Sequence, residues 1–180
     1  MDKLEFTIVI IGDDEVGKWE LLETQIGSEN VIRECHTASI HEGPRTDPVH
    51  IKYVNIPSAQ RYIKLAPRYW TSAAAIVFVF DQNDRDSFIS ISTWLSAQQD
   101  FDQIQLFLIV NVHQQTVGGK QFVTENEIDQ LAKQYRMRIL HRNKIDRVLD
   151  EVVKVIKQVA VRTTLAGDLL GRRIGIIPGK

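Results

Sequence analysis

The chain has 180 residues, is 43% hydrophobic and 25% charged, and carries 22 Lys+Arg against 23 Asp+Glu. That size and balance describe one globular domain able to bury its own core, and a net charge of −1 excludes a general pull toward nucleic acid or anionic membrane. A single thiol, Cys35, excludes an internal disulfide and a zinc centre built on several thiolates, and it fits a reducing, cytoplasmic setting.

Leu4 to Ile11 is rich in β-branched residues and reads as a strand. A glycine-bounded turn follows, and Trp19 to Gln25 opens as a short helix. Arg33 to Ile40 and Val49 to Ile56 read as two strands, joined by loop chemistry from His41 to Pro48. Ala73 to Phe80 is the longest apolar run, far short of a membrane span and suited to a strand buried on both faces. Asp86 to Gln99 places Phe88, Ile91, Trp94 and Leu95 at helical spacing, and Leu106 to Val112 is another buried strand. Thr124 with Glu127 three residues on is a capping-box signature, opening a helix with Ile128, Leu131, Ala132 and Tyr135 on one face. Met137 to His141 is a short strand, and Ile145 to Ala160 carries the apolar stripe of a final helix.

Strands alternating with helices predict an α/β fold. The expectation is one domain over residues 1–164, with a mostly parallel six-stranded sheet, one antiparallel edge and helices on both faces. Residues 165–180 form a tail outside the regular pattern. Leu169, Ile176 and Ile177 make it too apolar for a solvated linker, so it folds back on the domain or docks into a partner. No signal peptide is expected after Met1, and with no cysteine near Lys180 no lipid anchor is expected there. The five histidines show no metal spacing, and no nucleophile elbow marks a hydrolase.

The turn after the first strand reads Gly12-Asp13-Asp14-Glu15-Val16-Gly17-Lys18. It matches a phosphate loop in residues and in its strand-to-helix setting. Backbone N–H groups of such a loop surround phosphates, and its lysine reaches the outer ones. The pattern continues with Ser or Thr, whose hydroxyl meets Mg²⁺; here Trp19 stands instead. Glu15 adds a carboxylate where phosphates approach, and two like charges about 4 Å apart repel by up to ~4 kcal/mol at an effective dielectric near 20. The indole of Trp19 either fills the vacated metal position or packs sideways against the helix and sheet. Lys18 is either a phosphate ligand, a relic, or the partner of Asp13, Asp14 or Glu15.

Tyr69-Trp70-Thr71-Ser72-Ala73-Ala74-Ala75-Ile76-Val77-Phe78-Val79-Phe80-Asp81 continues into Gln82-Asn83-Asp84-Arg85-Asp86-Ser87-Phe88. With the phosphate loop, these stretches resemble the Ras superfamily of small GTPases, the Rab branch most closely, over about residues 4–162. The resemblance implies a Ras-like P-loop domain. It assigns Gly12, Gly17 and Lys18 to phosphate, Thr37 to Mg²⁺ in switch I, Gln60 to the attacking water and Asn111 to the base. Other positions depart from the family. Ile56 replaces the aspartate that supports Mg²⁺, Ala59 the glycine beside the γ-phosphate, Val112 the lysine over the base, and Gln114 the aspartate that reads guanine. A glutamine amide offers one acceptor where two hydrogen bonds must be accepted.

Joint loss at the metal and base positions implies a pseudo-GTPase: the scaffold kept, the chemistry gone. On this reading Gln60 is a vestigial catalytic residue, and Gly12, Gly17, Lys18, Thr37 and Asn111 are vestigial ligands. No enzyme activity, cofactor or metal is expected. The function is that of a nucleotide-independent interaction or scaffold subunit, cytoplasmic, recruited to a complex or membrane through a protein partner. The alternative is an atypical Rab-like switch in trafficking or signalling that holds GTP or GDP weakly or without Mg²⁺. In either case the partner is a protein, met through the apolar tail or the segment resembling switch II. There Tyr62, Leu65 and Trp70 are the interaction candidates; Tyr69 and Trp70 suit the core better than the surface, and Tyr62 and Leu65 are the better surface residues.

Overall fold

The structure is a computed structural model and describes residues 3–31, 39–42, 49–97, 101, 103–112, 122–165 and 175–177. In chain order the elements are β1 (Lys3–Ile11), α1 (Lys18–Ile26), β2 (Ser39–Glu42), β3 (Val49–Asn55), α2 (Gln60–Trp70), β4 (Ala73–Asp81), α3 (Arg85–Ser96), β5 (Gln105–Asn111), α4 (Glu125–Tyr135), β6 (Arg138–His141), α5 (Val148–Leu165) and β7 (Gly175–Ile177). The expected strand over Arg33–Ile40 is described only from Ser39, and the expected loop begins later than His41, because His41 and Glu42 pair with Tyr53 and Lys52.

The strands lie in the order β2-β3-β1-β4-β5-β6. β1 runs parallel to β3 and β4, β4 to β5, and β5 to β6, while β2 is antiparallel to β3. The predicted mostly parallel sheet with one antiparallel edge is present. Because successive strand residues face opposite sides, one strand feeds two cores. Val9 and Ile11 join Phe78, Phe80 and Val110 beneath α2, α3 and α4, whereas Phe6, Ile8 and Ile10 join Val77, Val79 and Ile109 beneath α1 and α5. Burying each such apolar side chain contributes about 1.5–3 kcal/mol. That burial from both sides explains the near-continuous apolar reading of β4 and β5.

The sheet has seven strands rather than six. β3 covers one side of β1 from Leu4 to Ile10, but β4 covers the other only from Thr7 onward. The open stretch Lys3–Glu5 is taken by β7, which pairs Ile177 with Lys3 and Gly175 with Glu5. Part of the tail is thus a sheet strand, which follows from the main-chain donors and acceptors that an open strand side leaves to be satisfied. The parallel strands all point their C-terminal ends toward one rim, where open α/β sheets bind ligands. The turn from β1 to α1 sits on that rim.

Candidate functional site

The turn is held close to the sheet by its glycines. A Cβ on Gly12 would stand 2.2 Å from the Val79 carbonyl oxygen of β4, so no other residue fits without displacing backbone. Gly17, with φ 90°, occupies the left-handed region directly before α1.

Lys18 opens α1 and folds back under the turn. Its Nζ donates to Gly12 O at 2.6 Å and to Ile56 O, just past β3, at 2.8 Å, and the residue is 1% exposed. A buried ammonium is tolerable only with acceptors and an opposite charge. The charge comes from Asp14, 3.7 Å away. Of the carboxylates weighed from sequence, Asp14 is therefore one that pairs with Lys18. The same Asp14 carboxylate accepts hydrogen bonds from Ser58 Oγ at 2.8 Å and from Ser58 N at 3.4 Å.

Two further ties fix the turn. Asp13 accepts from Ser90 Oγ of α3 at 3.0 Å. Burial pushes the Asp13 carboxyl above its ordinary pKa; Ser90 and Lys18 pull it down, and the neighbouring Asp84 and Asp14 push it up. On the far side, Asn111 at the end of β5 donates through Nδ2 to Val16 O at 2.8 Å, and its Oδ1 accepts from Val112 N at 3.0 Å. Among the described residues, Asn111 serves the protein's own main chain.

The side chains that stand where a small GTPase holds Mg²⁺ do not fit that ion. Mg²⁺ requires oxygen ligands in octahedral geometry. Trp19 is buried and belongs to the hydrophobic cluster that includes Val16, Leu22 and Tyr53 and residues of α5. Ile56 is fully buried on the opposite face of the sheet, against the core that includes Tyr62 and Trp70. Neither offers an oxygen from its side chain. Among the described residues no three His, Cys, Asp or Glu side chains gather as metal ligands. Thr37, His113 and Gln114 lie outside the described residues.

The interaction candidates need correction. Tyr62 was expected at the surface, but it is 7% exposed and belongs to the core beneath α2. Trp70 is likewise core, stacked at a tilt on Phe101 with ring centroids 5.5 Å apart. Leu65 is partly buried against the same core. The reason is helical: Tyr62, Leu65, Tyr69 and Trp70 share one face of α2, and that face must lie on the sheet. The face α2 shows to solvent is Gln60, Arg61, Lys64, Pro67 and Arg68. It carries three cations and no carboxylate, with the Arg61 guanidinium 5.1 Å from the Tyr62 ring centre. Gln60 is the exposed first residue of α2.

Ser58 and Ser90 were not found from sequence, because a lone serine carries no spacing signal. Asp14 was visible only as one of three acids near Lys18.

The Ras family model matches residues 7–160. Curated relatives include the Ras-related protein RABA2c of Arabidopsis thaliana, 20% identical over 97% of this chain and 85% of its own length. The Ras-related protein Rab2BV of Beta vulgaris is 23% identical over 92% and 84% respectively. GTP-binding protein YPT52 of Saccharomyces cerevisiae is 29% identical over 60% and 53%. No helix among the described residues is long and apolar enough to cross a membrane. A phosphate-loop turn on the rim of this sheet, matched by a family model across nearly the whole chain and by full-length Rab relatives, means that the chain belongs to the Ras family and is Rab-like within it.

Proposed function

We propose that this Rab-like domain is a nucleotide-independent protein-interaction subunit that does not hydrolyse GTP. The observation that carries the reading is the state of Lys18. Its ammonium is buried against Gly12 O and Ile56 O and paired with Asp14, so the cation that would meet phosphates is engaged inside the protein. Trp19 and Ile56 add to this, since each replaces an oxygen ligand of Mg²⁺ with core-forming bulk. Phosphoryl transfer in this family rests on positioning and on metal electrostatics, and Gln60 alone supplies neither. The partner is a protein, and the exposed cationic face of α2 suits an acidic surface on it.

A second reading, a Rab-like GTP-binding switch, is favoured by the comparisons. The relatives are Ras-related proteins, one of them named a GTP-binding protein, and the match includes the phosphate loop. On that reading Gly12, Gly17 and Lys18 would hold GTP or GDP weakly or without Mg²⁺.

Thermal unfolding with and without GTP·Mg²⁺ separates the two. The first reading expects an unchanged midpoint and no phosphate release above buffer. The second expects stabilisation by mass action, about 2.7 kcal/mol at a ligand concentration a hundred times its Kd. GTP hydrolysis that disappears in Lys18→Ala overturns the first reading.

A further inference from the structure

We infer that Asp14 is an internal anion that holds the start of α2 in one position, doing within the chain what a bound phosphate does in a nucleotide switch. The inference rests on the nucleotide-independent reading above and adds to it how the α2 face is kept ordered.

Segments after the third strand of such switches become ordered when an external anion and its metal hold them, and they loosen when it leaves. Here the equivalent segment is held at two points by one turn. Lys18 Nζ takes Ile56 O, and two residues on, the Asp14 carboxylate takes both Ser58 N and Ser58 Oγ. Lys18 and Asp14 also face each other at 3.7 Å. The result is a closed clamp: cation to carbonyl, carboxylate to amide and hydroxyl, cation to carboxylate. Hydrogen bonds to an ionised carboxylate are stronger than neutral ones, and the Ser58 hydroxyl donates one at 2.8 Å.

The clamp closes directly before α2, whose first residue is Gln60, and Tyr62 N then bonds Ala59 O to begin the helix. Asp13 secures the turn to α3 through Ser90, so the turn that carries Asp14 is itself anchored. The exposed face of Arg61, Lys64 and Arg68 is in this way presented without any external ligand. The clamp is made of the chain's own groups and closes without GTP. The domain is therefore a constitutive form of the switch geometry.

The test is amide hydrogen exchange, read by mass spectrometry on full-length protein, for the peptide spanning residues 57–65. Wild type, Asp14→Ala, Asp14→Asn, Ser58→Ala and the Asp14→Ala/Ser58→Ala double variant are compared without nucleotide. The clamp predicts exchange at residues 58–62 about five-fold faster in Asp14→Ala, the size appropriate to a half-exposed charged contact. Ser58→Ala should reproduce it, and the double variant should be no faster than either single one. Peptides from β4 and β5 should not change, which separates loss of the clamp from general unfolding. Asp14→Asn keeps an acceptor for Ser58 and should fall between wild type and Asp14→Ala. Unchanged exchange at 58–62 in Asp14→Ala, or additive effects in the double variant, overturns the clamp. A separate arm adds GTP·Mg²⁺ to wild type: slowed exchange at 58–62 overturns the nucleotide-independent reading, and it does so whatever the substituted proteins show.

Discussion

At the scale of single residues, Lys18 belongs to a phosphate-loop motif and bonds within the chain to Gly12 O, Ile56 O and Asp14. The glycines and lysine of a phosphate loop are readable in sequence because their spacing is set by backbone geometry: Gly12 must approach Val79 O, and Gly17 must adopt a positive φ. Where the lysine points is not readable, since it depends on Ile56 O, 38 residues away. The same holds for Asp14 and Ser58, 44 residues apart with no periodicity to link them. Trp19 was legible as a departure, but both sideways packing and metal-site filling suited an indole, and the structure places it in the hydrophobic cluster with Val16, Leu22 and Tyr53. A lysine kept for an external phosphate adds little to the stability of the protein alone. A lysine built into the turn does the opposite. Lys18→Met leaves two buried carbonyls without their donor, so we expect a loss of about 2 kcal/mol in urea unfolding without nucleotide.

At the scale of elements, α4 begins where its sequence says it does. Thr124 accepts from Glu127 N, and the Glu127 carboxylate returns to Thr124 N at 3.0 Å, the full capping box. The Glu127 carboxyl is held at a pKa of about 2, well below its ordinary 4.5, by the Thr124 backbone N–H first and by Arg85 and the Thr124 hydroxyl after it. A depressed acid pKa stabilises the fold above the unfolded value and loses that contribution as pH falls through the folded one. The loss therefore runs from about pH 4.5 down to about 2. Glu127→Gln should flatten that part of the pH–stability profile, and Thr124→Ala should cost about 1 kcal/mol at neutral pH. The midpoint of acid unfolding, followed by circular dichroism, checks both. By contrast α2 was harder to see. Its apolar face, Tyr62, Leu65 and Tyr69, has helical spacing, but Pro67 lies inside the helix and masks the pattern. Aromatic residues there look like surface anchors until the helix is recognised, after which they can only be core. β7 was legible only as part of an apolar tail that folds back or docks: three residues are too few for a strand pattern, and they pair where β4 starts too late to cover Lys3–Glu5.

At the scale of the whole molecule, the six-stranded core, its order of helices and its two apolar layers follow from patterns that burial imposes on every strand, and those patterns survive at about 20% identity to Rab relatives. On the proposed reading the site does not survive in the same way, because a ligand position needs one particular atom rather than a class of side chain. Ile56 fills its place in the core as well as any apolar residue could, yet offers Mg²⁺ nothing. On the rim of the sheet Asp14 joins both Lys18 and Ser58, Lys18 bonds the main chain of Gly12 and Ile56, and Asn111 secures the turn from the other side. We propose that this domain is complete without nucleotide. Its most direct test is the nucleotide content of the purified native protein, released by denaturation and separated by anion exchange. Folded protein with no guanine nucleotide above a few per cent of the chain on a molar basis is the expected result, and near-stoichiometric GDP or GTP would contradict nucleotide independence.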